Sequence, residues 1–138
     1  MKYEYSFQNV KGMHFYSRTP SGHDIHIDAS KDTGGSDTGA RPMEYMFAGL
    51  AGCTGVDIVM ILSKMHVEYD SFDIKIFAER REEEPKIYTN INIVYEFKGK
   101  DIPLEKVERA AKLSYDKYCT AIATFRGTAE VTYEIKIN

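Results

Sequence analysis

The residues of this chain with the strongest potential for covalent chemistry are its two cysteines, Cys53 and Cys119. A thiolate is a nucleophile and a metal ligand, and two thiols brought together can alternate between a dithiol and a disulfide. Two cysteines are few for a disulfide scaffold and too few for a cysteine-rich zinc site. Each is therefore either a small core residue or a reactive thiol.

A reactive first cysteine needs positive charge nearby, and the carboxylate of Asp57, one helical turn later, opposes a thiolate. The candidate cations are His14, Arg18 and Arg41. His14 and Arg18 are four residues apart, so a regular strand places both on one face. Taken alone, the arginines are more often surface side chains. Glu44 is similarly ambiguous, because first-turn glutamates commonly stabilise helices.

Other kinds of site find little support in the sequence. His23 and His26 are three residues apart and point to opposite faces of a strand, which makes them a poor metal pair. A net charge of −3 lacks the basic excess expected of a nucleic-acid binder. The first residues, MKYEYSFQNVKG, show no apolar signal-peptide core, so we predict a reducing cytoplasmic location.

The composition predicts a single globular domain over residues 1–138, with 43% hydrophobic and 28% charged residues. Aromatic residues alternate with polar ones over Tyr3–Phe7, which predicts a strand. Further strands are predicted at Met13–Ser17 and Asp24–Ser30. The glycine-rich segment Asp32–Ala40 is predicted to be a connecting loop.

A long helix is predicted over about Pro42–His66, because proline suits a first helical turn. The segment is apolar around most of its circumference, which is typical of a buried central helix. Its most apolar stretch, Met46–Leu62, is short and polar for a membrane span, since it contains Thr54, Asp57 and three glycines. Ala48, Gly52 and Gly55 form a smooth stripe where another backbone can approach, and this stripe favours a dimer.

The second half of the chain predicts a hairpin, a helix and a closing strand. The strands are Phe72–Ala78 and Ile87–Phe97, joined by the charged link Arg80–Lys86. A helix over Pro103–Tyr118 and a strand over Val131–Ile137 follow. The predicted fold class is α+β, with mostly antiparallel pairing around one buried helix.

The run from Arg41 to Val59 resembles the hallmark helix of the OsmC/Ohr superfamily, the osmotically inducible and organic hydroperoxide resistance proteins. The glycine-rich loop before it, the Ser114–Cys119 segment and the closing strand strengthen the resemblance. It implies an OsmC-like fold with antiparallel curved sheets around a central helix. It also implies an intertwined homodimer with active sites at the subunit interface.

The resemblance further implies a thiol-dependent peroxidase that reduces organic hydroperoxides, with hydrogen peroxide as a second substrate. In that scheme Cys53 attacks the peroxide and becomes a sulfenic acid, and Cys119 condenses with it to a disulfide. An external dithiol, lipoyl or thioredoxin-like, restores the thiols. The expected partners are a second copy of the chain, the peroxide and this reductant, without metal, organic cofactor, nucleic acid or membrane.

The sequence departs from the peroxidase pattern of the superfamily at two places. In the peroxidases a glutamate directly follows the helix proline. Here Met43 has that position and Glu44 comes one residue later, which rotates the carboxylate about the helix axis by about 100° at ~3.6 residues per turn. The Pro-Met-Glu order at the start of the helix is that of the OsmC-like branch of the superfamily, which commonly has an arginine where this chain has His14. Arg18 is the alternative cation to support the thiolate. The predicted catalytic residues are Cys53, Cys119, Glu44, Arg18 and His14.

Two other hypotheses remain open on the sequence alone. The displaced glutamate and the histidine at position 14 favour a non-catalytic dimer whose interface pocket holds a small apolar or electrophilic ligand. Alternatively, both cysteines are purely structural, in which case both thiols should react slowly with a bulky alkylating reagent in the native protein.

Overall fold

The computed structural model describes residues Met1–Asn138, which divide into a unit of Met1–Phe47 and a unit of Ala48–Asn138. The long helix α1, Pro42–Lys64, begins in the first unit and continues into the second. The fold class is α+β, as the sequence predicted.

The first unit contains a small antiparallel sheet of β1 (Gln8–Lys11), β2 (His14–Arg18) and β3 (Asp24–Ile27), in the order β1-β2-β3. The predicted strand at Tyr3–Phe7 is wrong, because regular pairing starts only at β1. Tyr3 is 68% exposed and Phe7 52% exposed. Aromatic and polar residues alternate in this segment as in a half-buried strand, but no other strand of this chain pairs with it.

The glycine-rich loop is anchored rather than a loose connector. The carboxylate of the buried Asp28 accepts hydrogen bonds from the Thr38 hydroxyl at 2.6 Å and from the N–H groups of Ala29, Ser36 and Thr38. The side-chain bond from Thr38 is the largest cause that lowers the pKa of Asp28 from 3.8 to about 2. Gly39 lies so close to the His26 carbonyl that a Cβ would overlap it, which explains the glycine.

The Asp28 contacts predict a specific acid sensitivity. Because the folded-state pKa is depressed, the carboxylate stabilises the fold fully above its ordinary value of 3.8, and this stabilisation is lost as the pH falls towards about 2. We therefore expect Asp28→Asn to be less stable than wild type near neutral pH, with the difference narrowing over that acidic range. Urea unfolding followed by circular dichroism at a series of pH values measures it. A difference that is constant with pH would contradict this role.

Helix α1 is covered on one face only within this chain. Its buried residues follow a spacing of four: Leu50, Thr54, Ile58 and Leu62. Val56 and Met60, on another face, are 59% and 53% exposed. The helix is apolar around most of its circumference, as predicted, and its second apolar face is uncovered in the single chain. By length and composition alone α1 could also cross a membrane, but helices in the cores of other proteins can be equally long and apolar.

The second unit is built on a three-stranded sheet of β4 (Ser71–Arg80), β5 (Tyr88–Lys98) and β6 (Glu130–Ile137). β4 and β5 form the predicted antiparallel hairpin, and β6 pairs with β5 in parallel. Parallel pairing needs a long crossover, which the intervening helices provide. The predicted inner face of β5 is confirmed, since Ile91, Ile93, Tyr95 and Phe97 are at most 1% exposed.

The crossover consists of α2 (Leu104–Leu113), a widened π-helical turn (Ser114–Tyr118) and the short helix α3 (Thr120–Phe125). Val107, Ala110 and Ala111 are buried on the inner face of α2. The predicted second helix is thus confirmed, although its last turn is π-helical. Such π-helical turns occur frequently at functional sites.

Candidate active site

Cys53 lies in the middle of α1, beside the buried stripe, and is half-buried. The neighbouring Gly52 faces open space, since a Cβ there would meet nothing within 4 Å, whereas Gly55 lies close against the Ile74 side chain. The residue that follows the cysteine, Thr54, is fully buried. The helix therefore holds the thiol at the border between the core and an open surface.

Cys119 is buried, with 3% of its surface exposed, and stands between the π-helical turn and α3. Its N–H donates to the Ser114 carbonyl at 2.9 Å, which closes the widened turn. Its Sγ accepts the N–H of Ile122 at 3.3 Å and so caps the start of α3. The extended backbone at this position ends one helical segment and begins the next.

The two cysteine thiols lie near enough to act on each other. Both are free thiols, Cys53 half-buried and Cys119 buried. Burial is the main cause that raises the pKa of Cys119 from 9.0 to about 12; the Ile122 N–H opposes this rise and the Cys53 thiol adds to it. Cys119 is thus held as a neutral thiol against a more accessible neighbour.

A buried chain of hydroxyl groups lies beside the thiol pair. Thr54 Oγ1 is 2.7 Å from the Tyr95 hydroxyl and 2.8 Å from Ser114 Oγ. Ser114 donates in turn to Asp57 Oδ2 at 2.9 Å. Thr54, Ser114 and Tyr95 are each 0% exposed, and Asp57 is half-buried. Each polar atom in this interior is therefore satisfied by another side chain.

An open groove of about 400 Å³ begins at the outer end of this hydroxyl chain. It is lined by Asp57, Met60, Ile61, Lys64, Met65, Arg109, Leu113 and Tyr118. Its walls are mostly apolar, with two cations and one carboxylate. Tyr118 directly precedes Cys119 in the chain, so the groove starts close to the thiol pair. A small amphipathic molecule has both the polarity and the size to enter it.

The other predicted site residues, His14, Arg18 and Glu44, lie in the first unit and have local partners there. His14 Nε2 is 2.9 Å from His26 Nδ1 on the adjacent strand. Arg18 donates to Asp24 at 3.0 Å. His14 and Arg18 share one face of β2, as the sequence predicted, with Tyr16 between them.

Glu44 stabilises the start of α1. Its Oε1 accepts the backbone N–H of Arg41 at 2.8 Å, which is one half of a capping box. Arg41, the third candidate cation, forms an ion pair with Asp37 at 2.8 Å. That any of these side chains supports the Cys53 thiolate stays a prediction.

A family model of OsmC-like proteins matches residues 34–134, which contain both cysteines and the whole of α1. The chain belongs to the OsmC-like family. The resemblance stated from the run Arg41–Val59 is thereby confirmed.

Individual relatives agree with this assignment. Protein YhfA of Escherichia coli K12 is 31% identical to this OsmC-like protein over 128 residues, 93% of this chain and 92% of YhfA. The solved structure of a hypothetical protein from Aquifex aeolicus VF5 matches with a TM-score of 0.81 and 30% identity, over 100% of this chain and 99% of that one.

A more distant match is the organic hydroperoxide resistance protein OhrB of Bacillus subtilis, with a TM-score of 0.62 and 20% identity. It covers 97% of this chain and 98% of OhrB. At this level of identity the likeness shows the fold alone.

Sequence reasoning missed the hydroxyl chain of this OsmC-like protein. It considered Asp57 only as a charge that opposes a thiolate, whereas the carboxylate accepts a hydrogen bond from Ser114. One signal was available, because Thr54 directly follows one cysteine and Ser114 opens the segment that ends at the other. Tyr95 carried no such signal, since it is one of several aromatic residues in its strand.

Proposed function

We propose that this chain is a thiol-dependent peroxidase that reduces organic hydroperoxides through Cys53 and Cys119. The observation that carries the proposal is that a half-buried thiol lies near a buried one whose pKa is raised to about 12, chiefly by burial. The pair has an accessible member to meet the peroxide and a protected member to act second. Relatives of the same fold that are named for organic hydroperoxide resistance support the choice of substrate.

The chemistry has three balanced steps. The Cys53 thiolate attacks one peroxide oxygen, the O–O bond breaks, and the alcohol leaves after taking up a proton while the sulfur becomes a sulfenic acid. The Cys119 sulfur then attacks the sulfenic sulfur, and its proton leaves with the hydroxyl group as water. An external dithiol reduces the resulting disulfide by exchange and is itself oxidised to a disulfide.

Peroxide consumption tests the proposal. With cumene hydroperoxide and dihydrolipoamide or dithiothreitol, we expect wild type to turn over and Cys53→Ser to lose at least about 100-fold in rate, because the oxygen-accepting thiolate is gone. Lys112→Ala is the matched control, since Lys112 is exposed on α2 with only an ion pair to Asp116. Equal rates for wild type and Cys53→Ser would overturn the proposal.

The partner proposed for α1 is a second copy of this chain. A groove of about 390 Å³ runs along its uncovered face, lined by Gly52, Gly55, Val56, Val59, Met60, Phe72 and Ile74. A contiguous apolar face beside glycines is the kind of surface that a second helix covers by close packing.

The dimer has its own test. Sedimentation equilibrium should give a dimer for wild type, and the pair Val56→Glu and Val59→Glu should give a monomer, because charges would be buried in the contact. Lys112→Glu, on α2, should leave the mass unchanged. A monomeric wild type at micromolar concentration would contradict the dimer.

The second candidate is a binding protein without peroxide turnover. It is favoured by the contacts of the first unit, where Arg18 pairs with Asp24 and Glu44 caps α1. The groove near Tyr118 would then hold an apolar or electrophilic ligand. Peroxide consumption equal to that of Cys53→Ser, together with saturable binding of a hydrophobic fluorescent probe in this groove, would select this candidate.

A further inference from the structure

The buried hydroxyl chain has a single direction, and Asp57 sets it. A carboxylate only accepts hydrogen bonds, and a hydroxyl group has one hydrogen to give. Ser114 gives its hydrogen to Asp57, so its contact with Thr54 must use the hydrogen of Thr54. Thr54 then has none left for Tyr95, and the phenol must be the donor. The order of donation is Tyr95 to Thr54 to Ser114 to Asp57.

The environment of Tyr95 is consistent with its place as the first donor. Burial raises the pKa of its phenol to about 12, so the phenol keeps its hydrogen across the physiological range. The other end of the chain reaches the half-buried Asp57, where the carboxylate meets the groove. The interior end is therefore a fixed donor and the surface end a fixed acceptor.

This chain joins the two segments that carry the thiols. Thr54 follows Cys53 directly on α1. Ser114 begins the π-helical turn, and its carbonyl accepts the N–H of Cys119 at 2.9 Å. The 2.8 Å contact between Thr54 and Ser114 is thus a side-chain link between the two cysteine segments. The Ser114 hydroxyl is held by a second hydrogen bond, which it donates to the Asp57 carboxylate.

We propose that Asp57 is a positioning residue that holds the Cys119 segment against α1, so that the two thiols stay close enough to form a disulfide. Without the acceptor, Ser114 can rotate and give its hydrogen elsewhere, and the order of the chain is lost. The two sulfur atoms would then spend less time in contact, and their effective concentration would fall. The inference rests on the thiol pair of the proposed function, but not on peroxide turnover.

The test measures the disulfide equilibrium with glutathione. Oxidised glutathione and the reduced protein exchange to give the Cys53–Cys119 disulfide and two molecules of reduced glutathione, so that electrons and protons balance. The equilibrium constant is the effective concentration of the pair. We expect Asp57→Ala to lower it at least about tenfold, since orientation contributes strongly to effective concentration. Asp57→Asn should stay within about threefold of wild type, because its amide oxygen can still accept from Ser114.

Asp116→Ala is the matched control, because Asp116 is an exposed carboxylate in the same π-helical turn whose partner is Lys112. It should leave the constant unchanged. Ser114→Ala, which keeps the carboxylate of Asp57 and cuts the link, should reproduce the loss, and it decides the matter if Asp57→Ala fails to fold. A constant for Ser114→Ala or folded Asp57→Ala within twofold of wild type would overturn the inference, as would an equal loss in Asp116→Ala.

These outcomes separate the inference from the proposed function. If the wild-type protein consumes no peroxide but the glutathione constants differ as expected, the positioning role stands and the peroxidase proposal fails. If peroxide is consumed and the constants do not differ, the reverse holds.

Discussion

Thr54→Val is expected to lower the free energy of unfolding by about 2–3 kcal/mol, although the two side chains have nearly the same shape. The substitution removes the acceptor of the Tyr95 hydroxyl, which is 0% exposed and 2.7 Å from Thr54. A buried donor left without a partner costs about 1–3 kcal/mol, and the bond to Ser114 is lost as well. Urea unfolding at one fixed protein concentration measures the difference, because association would make stability depend on concentration.

A double-mutant cycle with Tyr95→Phe shows whether the loss comes from the stranded phenol. Tyr95→Phe removes that donor, while Thr54 can still donate to Ser114, so the single variant should lose only about 1 kcal/mol. The double variant should lose less than the sum of the two single losses. Thr132→Val on the exposed side of β6 is the control; it removes only a solvent-exposed hydrogen bond from Asn92 and should change stability by no more than about 0.5 kcal/mol. Additive losses would contradict the directed chain.

Local patterns in the sequence predicted most of the fold, and pairing between distant segments was harder to predict. The period-two alternation of β4 and β5 and the apolar run of α1 identified these elements close to their observed bounds. The parallel pairing of β6 with β5 depends on the path of the crossover, which no local pattern contains. At Tyr3–Phe7 the same alternation failed, because a strand also needs a neighbour.

The candidate site divides in the same way. The pairing of Cys53 with Cys119 is an implication of the family resemblance, because in the sequence only the motifs around the two residues relate them. The partners of the hydroxyl chain are a threonine, a serine and a tyrosine on three different elements. Such residues are common on surfaces, and their hydroxyl groups require specific hydrogen-bond partners only when they are buried. The role of Asp28 was missed because its burial, too, could not be predicted from the sequence.

The second large effect is expected for Cys119→Ser in a single oxidation with peroxide. Wild type should lose both of its thiols for one peroxide, because the sulfenic acid formed at Cys53 condenses with Cys119. Cys119→Ser should lose its one remaining thiol and keep a sulfenic acid, which dimedone traps and mass spectrometry detects. Excess peroxide should then drive the variant to sulfinic and sulfonic acids, while the wild-type disulfide resists.

Serine is the right replacement because it preserves what Cys119 does for the fold. The Cys119 sulfur caps α3 by accepting the Ile122 N–H, and serine is among the preferred residues at that position of a helix. The variant should therefore unfold at nearly the wild-type urea concentration, so that a changed oxidation product reports on chemistry and not on lost structure. If Cys119→Ser gave no trapped sulfenic acid and wild type formed no disulfide, the two thiols would be structural. If wild type itself accumulated a trapped sulfenic acid with the Cys119 thiol still titratable, Cys53 would act alone and the resolving role of Cys119 would be wrong.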